Sequence, residues 1–277
     1  MKLVGIRSGR KVEVAVVLGD RVTSLAEVGE FYADLPHWLA QARKTDTGEL
    51  SLAEVQLAPP VPLSARVLCI GLNYRAHAAE GGFIPPEHPT IFGRWVASLT
   101  AGGTPVPVPA NEPGLDWEGE VAVVVGARLT DVDEATALSG VLGYAAFNDL
   151  TARTAQKLTA QWTLGKNADR SGPMGPLVTA DEVGDLSDGL RVQTRVNGTA
   201  VQDGNTRDMI FGAGELLSRI SRTLTLEPGD VIATGTPEGV GYVRTPPWLL
   251  HPGDVVEVEV ERLGVLRTPV VGPEERP

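Results

Sequence analysis

Two glutamates one residue apart open an apolar segment, and an aspartate closes a second one. The segments are Asp116–Gly126 (DWEGEVAVVVG) and Gly143–Asp149 (GYAAFND). Residues two apart on a β-strand point to the same face, so Glu118 and Glu120 can direct two carboxylates toward one point. Asp149 can supply a third from a neighbouring element. Ionised carboxylates are costly to bury without a partner or a cation. The pattern therefore favours buried strands built around a charged site.

Glu118, Glu120 and Asp149 are predicted to bind one divalent cation. An all-oxygen ligand set suits Mg²⁺ or Mn²⁺, with Ca²⁺ possible, whereas zinc and copper sites usually use His and Cys. No organic cofactor is predicted. The alternative is that these acids only mark strand ends and face water, as most carboxylates do.

The chain is acidic and has no clustered basic residues. Its 277 residues carry a formal net charge of −11, which argues against a nucleic-acid partner because a phosphate backbone requires Lys and Arg. The first ten residues are too polar for a signal peptide, and no apolar run is long enough to span a membrane. We therefore expect no membrane partner and a cytoplasmic location. The single cysteine, Cys69, is expected to be a small buried hydrophobic residue.

Turn residues divide the sequence into a small β-rich unit and a larger domain. Residues 1–62 read as a small N-terminal β-rich domain with one helical pattern near residues 35–42, and Leu57–Leu63 is proline-rich and reads as a linker. Residues 63–277 read as a mostly β catalytic domain with mixed β/α character. Its strands are predicted at 121–125, 190–196, 231–234 and 255–260, with a helix at 214–224.

Five segments in this order closely resemble the fumarylacetoacetate hydrolase family. The resemblance extends from about Val67 to about Arg267, and its segments are Val67–Glu80, Asp116–Gly126 followed by Asp149, Gln161–Asp169, Val201–Phe211 and Leu226–Pro237. A single such motif is weak evidence, but the ordered set is specific. The resemblance implies the rolled mixed β-sheet of that fold, a homodimer, and chemistry on a small dicarbonyl or 2-oxo acid.

His77 and Glu80 match the family motif N-Y-x-x-H-x-x-E and are assigned as the acid–base pair. Residues three apart on a helix are neighbours, so the Glu80 carboxylate can hold the His77 imidazole. The alternative is an ordinary histidine on a helix surface. In the family this stretch forms a short helix or lid over the substrate, and Gly81 and Gly82 would permit a hinge.

The resemblance assigns further roles around the predicted metal. Lys166 is the predicted catalytic cation near the metal-bound oxygens, although lysines in polar loops are usually solvated. Thr236 is predicted to bind the substrate's carboxylate, although a turn residue before proline is the simpler explanation. Other predicted substrate contacts are Tyr74 and Gln161, and predicted supports of the site are Asn148, Arg153 and Asp169.

Three positions depart from the common family pattern. Arg94 stands where many members have lysine, Asn167 stands where serine is common, and Leu150–Thr154 differs after Asp149. Arginine can hold a carboxylate with two parallel hydrogen bonds. We therefore expect Arg94 to face the metal and bind an acidic or enolic group of the substrate, so that its removal affects activity more than stability.

The predicted function is hydrolysis of a C–C bond in an acylpyruvate-type acid such as fumarylacetoacetate or fumarylpyruvate. The resemblance implies a metal-chelated enolate and water activated by His77 and Glu80. Decarboxylation of an oxaloacetate-like acid, or isomerisation of a hydroxymuconate-type dienoate, is the alternative on the same fold. A non-catalytic metal- or ligand-binding protein is a third reading. Segments 84–95 and 239–248 are expected to select the substrate's tail.

Overall fold

The computed structural model describes residues 1–82, 84 and 86–275, and it is mostly β-sheet with short helices. Pro85, within the segment expected to select the substrate's tail, lies outside the described residues. In chain order the strands are β1 (Lys2–Ser8), β2 (Lys11–Leu18), β3 (Arg21–Glu27), β4 (Leu50–Ser51), β5 (Leu57–Ala58), β6 (Val67–Gly71), β7 (Thr90–Arg94), β8 (Leu99–Ala101), β9 (Val106–Pro107), β10 (Gly119–Val125), β11 (Val141–Asn148), β12 (Gly172–Met174), β13 (Leu177–Thr179), β14 (Arg191–Val196), β15 (Thr199–Asn205), β16 (Val231–Ala233), β17 (Val255–Val260) and β18 (Gly264–Val271).

The α-helices are short and lie between the strands. They are α1 (Val28–Ala33), α2 (Leu35–Lys44), α3 (Arg75–Glu80), α4 (Glu134–Ser139), α5 (Arg153–Gln156), α6 (Thr163–Lys166), α7 (Ala180–Val183) and α8 (Ala213–Ser221). Single 3₁₀ turns lie at Val96–Ser98, Leu186–Asp188, Thr206–Asp208 and Pro273–Glu275. The predicted fold class, mostly β with mixed β/α character, is confirmed. No helix in the described part of the chain is long and apolar enough to cross a membrane.

Two sheets organise the strands. The larger has thirteen strands, with β4-β3-β2-β1-β13-β11-β10-β16-β6-β7 as its main order, and the smaller has five in the order β15-β14-β17-β18-β9. In the larger sheet β16 runs parallel to β6, whereas β10 is antiparallel to both β11 and β16. The large sheet is therefore mixed, and its centre consists of strands distant in sequence.

The N-terminal unit belongs to this same large sheet. Strand β1 pairs with β13, where Lys2 lies opposite Val178 and Leu3 opposite Leu177. The predicted linker contains a short strand, because β5 also pairs with β1. A division of the chain at residues 62 and 63 stays a prediction, and a single continuous sheet crosses that point.

Strand β10 separates two hydrophobic cores and orients the carboxylates. Val121, Val123 and Val125 pack into the core that contains α8. Ala122 and Val124 pack into the other core, together with Cys69 and residues of the N-terminal unit. Because side chains alternate along a strand, Glu118 and Glu120 share the side of Ala122 and Val124.

The pairing of β10 with β11 brings Asp149 to the same place. Glu120 lies opposite Phe147, and the Asp149 N–H donates to the Glu118 carbonyl oxygen over 2.9 Å. Directly opposed residues point to the same face of a sheet. Strand pairing alone therefore places Asp149 beside Glu118.

Candidate active site

The three predicted ligands Glu118, Glu120 and Asp149 converge at the end of β10 and β11. Each offers a carboxylate oxygen, and these atoms lie within 4.8 Å of one another. All three residues are buried, with Asp149 at 0% exposure. The alternative in which these acids face water does not describe this geometry.

Two cations neutralise Glu118. The Lys166 Nζ donates to Glu118 Oε2 and to Asp149 Oδ2, each over 2.6 Å, and the Arg153 Nη2 donates to Glu118 Oε1 over 2.7 Å. Burial alone would raise the pKa of Glu118, but Lys166 and Arg153 outweigh burial and lower this pKa to about 2. Glu118 is therefore a fixed anion.

Glu120 lacks such compensation. It forms no ion pair with any described residue, and its Oε2 accepts a hydrogen bond from the Gly235 N–H over 2.9 Å. Burial, followed by repulsion from Asp149 and Glu118, raises the pKa of Glu120 well above its usual value. Gly235 has φ +94°, and a Cβ there would lie 2.8 Å from the Asn73 Cβ, so only glycine fits this position.

This donor set fits a hard divalent cation. Carboxylate oxygens from three buried side chains are what Mg²⁺ and Mn²⁺ prefer, and neither His nor Cys belongs to the cluster. Glu120 is the carboxylate of the cluster that pairs with no described cation, and a bound metal would supply that partner. The residues present therefore suit the predicted metal.

His77 and Glu80 form the predicted pair on α3. The His77 Nδ1 lies 3.2 Å from Glu80 Oε2, and the Gly239 N–H donates to Glu80 Oε1 over 2.9 Å. Their side chains are 15% and 23% exposed. The Glu80 carboxylate thus links the imidazole to the loop that follows Thr236.

A cavity of about 300 Å³ joins His77 of this pair to the carboxylates. His77, Glu118, Glu120, Lys166 and Thr236 all line it. Its apolar wall includes Ile70, Phe92 and Trp162. The predicted base, the predicted catalytic lysine and two of the three predicted metal ligands therefore face one small space.

Arg94 lies in a different place from the one that we predicted. Its side chain is fully buried behind Asp149, which accepts a hydrogen bond from Arg94 Nε. Arg94 Nη1 donates to Ser98 and Ser171, and Nη2 donates to the Leu150 carbonyl oxygen. Arg94 does not line the cavity. Its guanidinium is occupied in orienting Asp149, so the expected contact with substrate is corrected to a contact with the predicted ligand.

The remaining predicted substrate contacts are not all on the cavity. Thr236 lines it, but its hydroxyl already donates to the Gly119 carbonyl oxygen and accepts from Gln202. Tyr74 is 1% exposed and lines a separate cavity. Gln161 is exposed and lies beside the lining residues Thr159 and Trp162.

Of the predicted supports, two contact Glu118. The Asn148 Oδ1 accepts from the Glu118 N–H over 3.0 Å, and Arg153 binds the carboxylate as described above. Asp169 is half-buried, three residues after Lys166, and is outside the cavity lining.

Sequence reasoning missed Asp116, which is 0% exposed and accepts from Arg153 Nε over 2.8 Å. Asp116 also accepts from the backbone N–H groups of Gly241 and Tyr242. Asp116 precedes Glu118 by two residues, as Glu118 precedes Glu120, and this spacing is the sequence signal that could have identified it. Gln156 and Lys157 also line the cavity, and no motif had identified them. Tyr242 lines it as well and lies in segment 239–248, which was expected to select the substrate's tail.

Comparison with known proteins agrees with the geometry. The model of the fumarylacetoacetate hydrolase C-terminal domain matches residues 66–271. Oxaloacetate tautomerase YisK of Bacillus subtilis is 40% identical over 263 residues, covering 92% of this chain and 87% of the relative.

Two solved structures show the same fold. 5-Carboxymethyl-2-hydroxymuconate delta-isomerase from Mycobacterium smegmatis has a TM-score of 0.77 and 33% identity, covering 98% of this chain and 99% of that one. Fumarylpyruvate hydrolase from Pseudomonas aeruginosa, solved with Mn²⁺ and pyruvate, has a TM-score of 0.69 and 32% identity, covering 78% and 92%. The chain therefore belongs to the fumarylacetoacetate hydrolase family.

Proposed function

We propose that this protein is a divalent-metal-dependent enzyme that interconverts the keto and enol forms of an oxaloacetate-type 2-oxo diacid. One observation carries the proposal: a carboxylate-held imidazole, His77, and a buried carboxylate cluster line the same cavity. The first makes a proton acceptor available, and the second suits a cation. The similarity to an oxaloacetate tautomerase over 92% of the chain supports this reaction.

Glu118, Glu120 and Asp149 would hold Mg²⁺ or Mn²⁺, which when bound supplies a Lewis acid that polarises the oxygens of a 2-oxo acid. The Mn²⁺ in the fumarylpyruvate hydrolase structure supports this choice of metal.

The protein's own groups then move the proton. His77 accepts a proton from the carbon between the two carbonyl groups, while Glu80 holds the ring and stabilises the charge that the ring acquires. His77 returns the proton to oxygen to give the enol, and the reverse sequence restores the ketone. Lys166 and Arg153 line the cavity and offset the negative charge that develops on the substrate.

Hydrolysis of a C–C bond, the reaction predicted from the sequence, is the second candidate. The same His77–Glu80 pair could deprotonate water, which would attack a carbonyl carbon and release two acids. The match to fumarylpyruvate hydrolase favours this reaction. Decarboxylation of oxaloacetate would need the same polarised carbonyl but no water.

The test compares all three reactions in one preparation with Mg²⁺ or Mn²⁺. Enol decay of oxaloacetate, pyruvate formation from oxaloacetate, and acid release from acetylpyruvate and fumarylpyruvate are followed separately. We expect accelerated enol decay to be the fastest of these. Rapid acid release without accelerated enol decay would replace the proposal by hydrolysis, and no acceleration with any substrate would support a non-catalytic binding protein.

We further propose a cytoplasmic homodimer, as the family resemblance implies. Sedimentation velocity of the full chain tests the assembly, and a monomer at micromolar concentration would contradict it.

A further inference from the structure

Lys157 is the cation of the described cavity lining that is not paired with a carboxylate. Among the described lining residues the permanently charged or basic side chains, apart from His77, are Arg153, Lys157 and Lys166. Arg153 is paired with Asp116 and Glu118. Lys166 is paired with Glu118 and Asp149. Lys157 enters no ion pair with any residue that the structure describes, and it lies at the exposed side of the cavity, at the end of α5.

An aromatic ring holds Lys157 in place. The Lys157 Nζ lies 4.1 Å from the centre of the Tyr242 ring, and the Arg153 Cζ lies 4.8 Å from the same centre. Tyr242 also lines the cavity. A ring face attracts an ammonium group but leaves its hydrogen-bonding capacity unfilled. Lys157 is thus oriented beside the cavity with its donors available.

We propose that Lys157 is a specificity-determining residue that binds the second carboxylate of a 2-oxo diacid, the carboxylate remote from the keto acid group. This assignment rests on the proposed function, because it assumes that the keto acid end lies at the buried carboxylate cluster. Arg153 and Lys166 are already bound to carboxylates of the cluster, so a second anionic group of the substrate is attracted to Lys157, the lining cation without an ion pair among the described residues. A neutral tail gains nothing from Lys157.

The decisive measurement uses two substrates that differ in this group. Oxaloacetate and acetylpyruvate share the 2-oxo acid end and the acidic carbon, but the second carboxylate of oxaloacetate is replaced by an acetyl group in acetylpyruvate. Solvent deuterium exchange at the acidic carbon reports proton transfer for both substrates. The variants are Lys157→Gln, which removes the charge, and Lys157→Arg, which keeps it. Lys11→Gln, at an exposed lysine that begins β2 of the N-terminal unit, is the matched control.

We expect Lys157→Gln to raise KM for oxaloacetate about three- to tenfold, since an exposed charge pair is weaker than a buried one. The kcat for oxaloacetate and both constants for acetylpyruvate should change less than about twofold, and Lys157→Arg should restore most of the oxaloacetate KM. Calorimetry with malonate and with acetate measures binding independently of turnover. Lys157→Gln should weaken the binding of malonate, the diacid, more than the binding of acetate.

An equal effect of Lys157→Gln on both substrates, or no effect on either, would overturn the assignment while leaving the proposed function standing. Absence of exchange with either substrate in the wild type would overturn the proposed function itself. If Lys157→Arg does not restore the oxaloacetate KM although its melting temperature is unchanged, the positive charge at position 157 is not what binds the substrate.

Discussion

The cations at the buried end of the cavity are paired with carboxylates, whereas the cation at its exposed end is paired with no described carboxylate. In the buried cluster, Arg94, Arg153 and Lys166 are each bound to carboxylates, and all three are at most 9% exposed. At the rim, which we define as His77, Lys157 and Tyr242, the Lys157 ammonium lies over the Tyr242 ring and enters no ion pair with any described residue.

This difference separates stability from recognition. Removing one partner of a buried pair leaves an uncompensated charge, which is costly to the fold. Removing an exposed group changes the contacts of the substrate but little else. The following predictions test whether the two ends can be separated in this way.

The largest effect is expected at the rim. His77→Ala should lower kcat for proton transfer about 10²- to 10⁴-fold, because the acid–base group is lost. The free energy of unfolding should change by less than about 0.5 kcal/mol, since His77 is partly exposed and outside both cores. Denaturant unfolding and steady-state rates, with exposed His37→Ala as the control, measure both. Retention of wild-type proton transfer would remove His77 from the mechanism.

In the buried cluster, Arg94→Met should destabilise the fold by about 3–5 kcal/mol, because buried Asp149 keeps its charge but loses one of its two cationic partners. This reverses the expectation from sequence, which placed the main effect on substrate use. Arg128→Met removes an exposed partner of Glu227 and should cost less than about 1 kcal/mol. Denaturant midpoints compare the two, and similar small losses would show that the network around Asp149 adds no stability.

Glu120→Gln should weaken Mg²⁺ or Mn²⁺ binding about tenfold or more. Removing a ligand lowers metal affinity at least as much as removing a residue that supports a ligand. The metal-dependent rise in melting temperature measures this.

The metal-free variant should also be more stable than the wild type near neutral pH. The raised pKa of Glu120 means that the folded state holds this proton more tightly, so wild-type stability declines as pH rises through that pKa.

Because glutamine does not titrate, the stability difference between the variant and the wild type should shrink as pH falls toward the usual glutamate pKa of 4.5. A metal-free variant less stable than the wild type at every pH would contradict the assigned charge imbalance.

The smallest effect is expected at Tyr242. Tyr242→Leu should raise KM for oxaloacetate about two- to fivefold, because a cation–π contact at an exposed site contributes about 0.5–1 kcal/mol. Tyr242→Phe keeps the ring and should match the wild type. A loss in Tyr242→Phe as large as that in Tyr242→Leu would assign the effect to the hydroxyl group.

Sequence reasoning performed best where a signal is local. The run from 255 to 260 was predicted as a strand and is β17, because alternating burial marks a half-buried strand. The helix near 214–224 is α8 at Ala213–Ser221, with Leu216, Leu217 and Ile220 buried. The convergence of Glu118 with Glu120 also follows from the two-residue period.

Contacts between distant segments could not be predicted in this way. The sequence shows that Arg94 is a cation, but whether it faces substrate or Asp149 depends on how β7 and the Asp149 loop pack, which no local pattern encodes. Lys157 and Tyr242 meet across more than eighty positions without a motif. No local sequence pattern predicts the pairing of Lys2 with Val178 either.

That last pairing has a consequence for the order in which the chain can fold during synthesis. The Lys2 and Leu3 end of β1 completes its ladder only with Val178 and Leu177, so this end stays an open sheet edge until more than half of the protein has been made. Open edges template association with other chains. A shortened protein that begins near residue 63 would lack β1, and the edge of β13 would be unpaired. We therefore expect a separately expressed protein that begins near residue 63 to aggregate, because the edge of β13 that pairs with β1 would be exposed.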